Sequence, residues 1–302
     1  MRVVVTGACG VAGQVVCRDL VAAGCEVRLA DIAPPALEDG GLGDFVRCDT
    51  RTPGDVRRAV KDMDAVIHLA AWHSGHQPPV SDATIFAVNV DGTFNVLDAC
   101  REWGVGALVF ASSMAYGWGS VYSVTKVIGE ELCRAFQQMT GASVAVLRYH
   151  AFVPRPYLDF GAGLLRNGVD RRDVAAATVA ALQAVVDRRV DLFTTIVHTA
   201  HKMPAPVVAD FRTRGPDWCD ERVPGARDLL RKYSILLPER VEQHDLSEAA
   251  RVLGWTPSVG FVDFLHDLKA RDERGEDVAA LWVPSELPTR ADTGGPVAGH
   301  DI

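Results

Sequence analysis

The stretch that most constrains this 302-residue chain is Thr6-Gly7-Ala8-Cys9-Gly10-Val11-Ala12-Gly13, which directly follows the apolar run Val3–Thr6. Glycines three apart let the backbone turn tightly, approach a bound group closely and pack the next helix against the strand. A turn that opens a helix also offers free N–H groups and the positive end of the helix dipole, which suit phosphate. Asp31 ends the next strand, 18 residues after Gly13, where a carboxylate can hold ribose hydroxyls. This succession predicts dinucleotide binding through Gly7, Gly10, Val11, Gly13 and Asp31. Asp31 repels a 2′-phosphate and no Arg follows it at once, so the expected cofactor is NAD rather than NADP. Asp49, ending the third strand, is read as meeting the adenine or capping a helix.

The rest of the chain supplies the frame such a turn needs. Val3–Thr6, Glu26–Ala30, Phe45–Cys48, Ala65–Leu69, Ala107–Ala111 and Ser143–Arg148 read as buried strands. Helical patterns alternate with them at Val11–Ala23, Pro53–Lys61, Ser81–Trp103 and Tyr122–Thr140. The alternation predicts an α/β fold: a doubly wound parallel (Rossmann) sheet with helices on both faces. A helix over Arg171–Val186 and a strand over Asp191–Val197 read as one more unit of that sheet. Prolines and glycines thicken after Phe152. The expected division is therefore a nucleotide-binding domain over 1–150, rejoined by 169–200, and a small C-terminal substrate-binding domain over 151–168 and 201–285. Residues 286–302, rich in Gly, Pro, Thr and Asp, read as a flexible tail.

Charge and cysteine usage narrow the partners. Net charge is −8 with no Lys/Arg cluster, which gives no reason to expect nucleic acid or an anionic membrane. The longest nearly apolar run, Val174–Val186, is shorter than the ~18–20 residues that span a bilayer. No signal-peptide pattern opens the chain. Seven cysteines without a CxxC pair read as reduced thiols, and the expected location is cytoplasmic.

A second motif, Tyr122-Ser123-Val124-Thr125-Lys126, places Tyr and Lys on one helix face. A phenol with pKa ~10 is a poor base at neutral pH. A neighbouring ammonium and an oxidised nicotinamide both favour its phenolate. The preceding strand ends in Ser112-Ser113.

Together these pieces resemble the extended short-chain dehydrogenase/reductase family, of the nucleotide-sugar epimerase/dehydratase type. The matching segments are TGACGVAG, Asp31, Asp49, DAVIHLAA (64–71), NVDGTFNVLDAC (89–100), LVFASSMAYG (108–117), YSVTK, SVAVLRY (143–149) and DLSEAARVLGWTP (245–257). The resemblance implies that Tyr122 moves a proton on and off a substrate hydroxyl while hydride passes to or from the nicotinamide. It makes Lys126 the ligand of the nicotinamide ribose, and Leu69, Ala70 and Ala71 a backbone lining for the cofactor. It gives a serine the substrate oxygen: Ser112 by its spacing to Tyr116, with Ser113 as the alternative. It also implies a sugar-type substrate and a homodimer.

Three departures shape the expected reaction. The loop between Ser112 and Tyr122 is short, Ala151 stands where relatives place an Asn that contacts a nucleotide-sugar, and Met114-Ala115 replaces the acids of the dehydratases and decarboxylases. Plain hydride chemistry at a carbinol carbon is what remains. The expected activity is a sugar or nucleotide-sugar epimerase, the alternative is a dehydrogenase of a free sugar, sugar acid or polyol, and a non-catalytic NAD-binding protein stands third. His73 and His150 are read as substrate contacts, and His198, His201 and Arg240 as pocket or surface. His73 and His76 form an HxxH pair without an evident third ligand, so no metal is expected.

Overall fold

The computed structural model describes residues 1–36, 41–75, 79–115 and 117–283. The expected tail, His76 and Tyr116 lie outside them.

Seven strands form one parallel sheet: β1 (Arg2–Thr6), β2 (Glu26–Asp31), β3 (Asp44–Arg47), β4 (Ala65–His68), β5 (Ala107–Ser113), β6 (Ser143–Tyr149) and β8 (Leu192–Val197). A two-residue strand, β7 (Arg155–Pro156), lies between the last two in sequence and pairs elsewhere. The spatial order is β3-β2-β1-β4-β5-β6-β8. The chain first winds outward from β1 through β2 to β3, then returns to β4 on the other side. Ligands of doubly wound sheets lie beyond the carboxyl ends of the strands at such a reversal, here between β1 and β4.

The central strands β1, β4 and β5 are apolar in their middles because both faces are covered. Helices α1 (Val11–Ala22), α7 (Arg171–Val186) and α11 (Ser247–Leu253) cover one face, with Val5, Leu29, Ile67, Leu147 and Leu182 in that core. Helices α2 (Pro53–Val60), α4 (Gly92–Trp103) and α5 (Val121–Thr140) cover the other, around Val66, Val96, Phe110 and Val146. Helix α3 (Asp82–Phe86) leads into α4.

A third core gathers α6 (Tyr157–Leu164), α8 (Ala205–Ala209), α9 (Phe211–Arg222), α10 (Ala226–Lys232) and α12 (Phe261–Glu273) around Phe211, Trp218, Phe261 and Leu265. The antiparallel pair of β7 with β9 (Trp282–Val283) borders it. Residues 246–255 depart from the expected division, because α11 and Trp255 pack on α7 and the sheet rather than on this third core.

The single helix expected over Ser81–Trp103 is interrupted. Residues Ala87–Asp91 form a π-helical turn between α3 and α4, and it turns Asn89 inward, where it is 2% exposed. Such one-turn widenings sit characteristically at functional sites.

Candidate active site

The glycine turn is held from below and cannot be substituted without moving backbone. Gly7 has φ +71°, and a Cβ on it would lie 2.7 Å from the Ala70 nitrogen. A Cβ on Gly13 would lie 2.2 Å from the Gly7 carbonyl oxygen. The Gly7 amide donates to the Ala30 carbonyl (2.9 Å) and the Gly10 amide to Gly7 (3.1 Å). Gly10 precedes α1 with no side-chain cap, so the amides of Val11 and its neighbours face outward at the reversal of strand order. Asp31, 8% exposed, accepts from the amides of Cys9 (2.9 Å) and Ala33 (3.2 Å), which fixes the carboxylate beside the turn.

Leu69, Ala70 and Ala71 leave β4 alongside that turn. The Leu69 amide donates to the Thr6 carbonyl (3.0 Å). Asp49 is occupied differently: its carboxylate pairs with Arg51 through Nε and Nη2 at 2.8–3.2 Å. The N-cap of α2 is Thr52, so Asp49 is not the helix cap.

The two serines of β5 point to opposite faces, as successive strand residues must. Ser112 Oγ donates to Glu130 Oε1 (2.5 Å), and Glu130 is clamped bidentately by Arg148 at 2.9 and 2.6 Å. Burial alone would raise the Glu130 carboxyl, but the hydrogen bonds of Arg148 and then Ser112 hold it below its ordinary value. Ser113 instead hydrogen-bonds Tyr122. It also accepts from the Ala115 amide (3.0 Å). Ser112, the serine expected at the substrate oxygen, thus lies on the face away from Tyr122, and Ser113, the alternative, on the face toward it. The shortened loop upsets counting from Tyr116, and the strand pleat gives Ser113 the side facing Tyr122.

Tyr122 and Lys126 do share a face of α5. Lys126 Nζ lies 5.9 Å from the Tyr122 ring centroid and donates to the Ala111 carbonyl at 2.8 Å. The lysine is 7% exposed, and burial pushes its pKa down to about 8, with Cys133 and Glu130 opposing. Burial pushes the Tyr122 phenol above its ordinary value, and the Ser113 hydrogen bond opposes it. The protein alone therefore does not supply the expected lowering. His73 stands edge-on to Tyr122, with ring centroids 6.2 Å apart, consistent with a place on the substrate side.

Two positioning residues escaped the sequence reading. Asn89 accepts from the Trp72 amide and donates to the Trp72 carbonyl and to Thr125 Oγ1, each at 2.9 Å. Thr125 in turn donates to the Tyr122 carbonyl (2.7 Å), so one amide ties the loop after β4 to the tyrosine helix. His68, 2% exposed, bridges Thr6 (2.6 Å) and Thr93 (3.0 Å) beneath the turn. Thr93 donates to the Asn89 carbonyl, so His68 Nε2 carries the proton that Thr93 accepts. Burial first, and the Lys126 charge second, bring the His68 pKa down to about 3. Asn89 lies inside a motif already quoted, and its helical neighbourhood gave no sign of the π turn.

His150, His198 and His201 are buried, and His244 is partly buried. His201 Nε2 donates to the Leu164 carbonyl (2.8 Å) and its Nδ1 accepts from the Phe261 amide (3.5 Å), a structural role in the third core. His150 does not stand beside Tyr122 in a pair. It joins His198 and His244, with ring centroids 4.1 to 5.1 Å apart. Burial, then His244, lowers the His150 pKa to about 4 against the Asn167 carbonyl; burial, then His150, lowers that of His198 to about 3.

Comparison with known proteins agrees with this geometry. The model of the NAD dependent epimerase/dehydratase family matches residues 3–171. The uronate dehydrogenase of Pseudomonas putida is 28% identical over 171 residues, covering 51% of this chain and 62% of that protein. The 2-alkyl-3-oxoalkanoate reductase of Stenotrophomonas maltophilia is 32% identical over 191 residues, 54% of this chain and 52% of that one. The chain thus spans between half and two thirds of these relatives' length. Among solved structures, a UDP-galactose 4-epimerase superposes with TM-score 0.65 at 21% identity, covering 91% of this chain and 99% of that one. A short-chain dehydrogenase/reductase superfamily protein from Agrobacterium tumefaciens with bound NAD gives 0.67 at 21% identity, covering 91% and 98%.

Proposed function

Because the chain belongs to the NAD dependent epimerase/dehydratase family, and is an NAD-dependent enzyme of that class, we propose that it transfers hydride at a carbinol carbon of a sugar-type substrate. The observation that carries this reading is the Ser113–Tyr122–Lys126 arrangement on adjoining ends of β5 and α5.

The cradle fits NAD. A Cβ on Gly7 or Gly13 would collide with neighbouring backbone, so the turn keeps its tight path without side chains, and the uncapped Val11 end of α1 offers its amides to a pyrophosphate. A carboxylate has about four acceptor sites, so Asp31 can keep the turn and take ribose hydroxyls together. Leu69, Ala70 and Ala71 would line the cofactor by backbone. Asp49 would meet the adenine with its carboxylate still paired to Arg51. NAD supplies hydride acceptance and donation at the nicotinamide.

The chain's residues handle the proton. Ser113 donates a hydrogen bond to the substrate oxygen, and Tyr122 takes the hydroxyl proton as the carbon gives up hydride. An ammonium has three donors and Lys126 spends one on Ala111, which leaves two for ribose hydroxyls. Positive charge beside the phenol offsets the burial that raises Tyr122. His73 contributes to the substrate side.

The first reading of the net reaction is epimerisation, in which the transient ketone is reduced again on its other face. Ala151 favours the second, net dehydrogenation of a free sugar or sugar acid, because its methyl gives no amide to anchor a nucleotide-sugar. Exposed Phe86, Phe94 and Val124 on α3, α4 and α5 support the homodimer. The test is to denature the purified protein, quantify NAD per chain, and screen sugars for NADH release. Near-stoichiometric NAD with no net NADH supports epimerisation. A protein that takes up NAD weakly and releases NADH with free sugars supports dehydrogenation. Neither NAD binding nor turnover would refute both.

A further inference from the structure

We propose that His150, His198 and His244 form a binding site for one divalent first-row transition cation of the zinc class, separate from the proton-transfer residues. The three rings offer one nitrogen each within 4.8 Å of one another. His150 and His198 are the first residues beyond β6 and β8, neighbours whose last paired residues are Tyr149 and Val197. The His150 amide donates to the Val197 carbonyl at 3.2 Å, so the two rings stand on a rigid frame with their centroids 4.1 Å apart. His244 comes from the segment before α11, which is tied down where Val241 donates to Val208 and Glu242 to Leu165, each at 3.0 Å.

The hydrogen bonds leave lone pairs facing inward. The Arg166 carbonyl can only accept, so His198 Nε2 (2.9 Å away) carries the proton and Nδ1 holds the lone pair. Glu242 accepts from His244 Nε2 at 3.0 Å, which leaves Nδ1 of that ring as the ligand. Outer acceptors on ligating histidines are the usual arrangement around a metal. Among the described residues, His150 Nδ1 and Nε2 and His198 Nδ1 are buried without a close hydrogen bond, although the Asn167 carbonyl acts on the His150 ring and Glu242 Oε1 stands 3.9 Å from His150 Nε2. A cation would take one nitrogen of His150 and Nδ1 of His198, meeting two of these buried atoms.

Imidazole nitrogens bind zinc at about 2.0–2.1 Å and lie about 3.3 Å apart around a tetrahedral ion. The trio needs an inward shift of about 1–1.5 Å to reach that spacing. His244 can supply most of it, because its side chain is 23% exposed and belongs to a loop. Glu242, the outer partner of His244, borders a groove of about 350 Å³ lined also by Val208, Arg240, Val241 and Gln243. Three protein ligands leave the fourth position for water. Sequence reading missed the trio because its members lie 48 and 46 residues apart and carry no spacing motif.

The proposal is independent of the reaction, so its test reads metal binding alone. The untagged full chain is stripped with chelator and titrated with Co²⁺, whose visible d–d absorption reports a four-coordinate site, and then with Zn²⁺ in competition. One Co²⁺ per chain, displaced by Zn²⁺, is expected. His150→Gln and His244→Ala each abolish the band with circular dichroism unchanged, and His73→Ala keeps it. Glu242→Gln weakens affinity by about 10–100-fold, the usual effect of losing an outer partner. Absence of a Co²⁺ band in the folded wild type, or its persistence in both His150→Gln and His244→Ala, would overturn the site. Loss of the band in His73→Ala would place the metal at the 73–76 loop instead.

Discussion

The glycine turn and the histidine trio both lie at the carboxyl edge of the sheet, yet the chain builds them by opposite routes. The turn is local: eight successive residues fix its φ angles, its close approaches and the start of α1. The trio depends on the sheet order that seats β8 beside β6 and on a loop brought in from the third core. A local device writes itself into spacing, and a long-range one does not. Tyr122 and Lys126 belong with the first kind, Ser113 and Asn89 with the second.

Variants can break or sharpen this contrast, beginning with the largest effect. Tyr122→Phe removes the phenol that carries the proton and lowers kcat by about 10²–10⁴-fold, the usual worth of general acid–base catalysis. Equilibrium titration should show its NAD affinity nearly unchanged. Ser113→Ala lowers kcat by about 10²-fold, as for loss of one oriented donor, whereas Ser112→Ala leaves kcat near wild type. Steady-state kinetics of the pair decides which face of β5 works.

Gly13→Ala should cost about 1–3 kcal/mol of stability, the usual penalty of forcing an atom into a filled space. It should also weaken NAD binding by at least about tenfold, or about 1.4 kcal/mol. Denaturant unfolding and NAD titration read the two effects. Ser112→Ala should destabilise by about 1.5–3 kcal/mol, because the buried Glu130 loses a charge-assisted bond.

Another prediction concerns pH. His68 is neutral in the fold, with its pKa lowered to about 3, while an unfolded histidine titrates near 6.5. The unfolded state takes up the proton first, so this residue's contribution is complete above about pH 6.5 and lost as pH falls toward 3. The folding equilibrium should weaken about tenfold per pH unit on its account. His68→Gln should give a correspondingly shallower acid slope in unfolding measured from pH 7 to 4.

The sheet was legible for the same reason as the turn. Strands covered on both faces read as apolar runs, and the seven expected strands fall within two residues of those observed. The choice between the two serines was not legible because spacing from Tyr116 does not report on which side of a pleat a residue falls. Asn89 was hidden by helical periodicity that runs straight through a π turn. Residues 246–255 were assigned to the wrong core because α11 looks the same in sequence whichever layer it joins.

The most direct test of the central claim, that Ser113 and Lys126 act on Tyr122 beside bound NAD, needs no substrate. Tyrosinate absorbance is followed against pH with and without NAD in wild type, Tyr122→Phe, Ser113→Ala and Ser112→Ala. The account predicts that NAD lowers the titration of one tyrosine, that Tyr122→Phe lacks this transition, and that Ser113→Ala moves it upward while Ser112→Ala does not. A transition insensitive to NAD, or one moved by Ser112→Ala and not by Ser113→Ala, would contradict it.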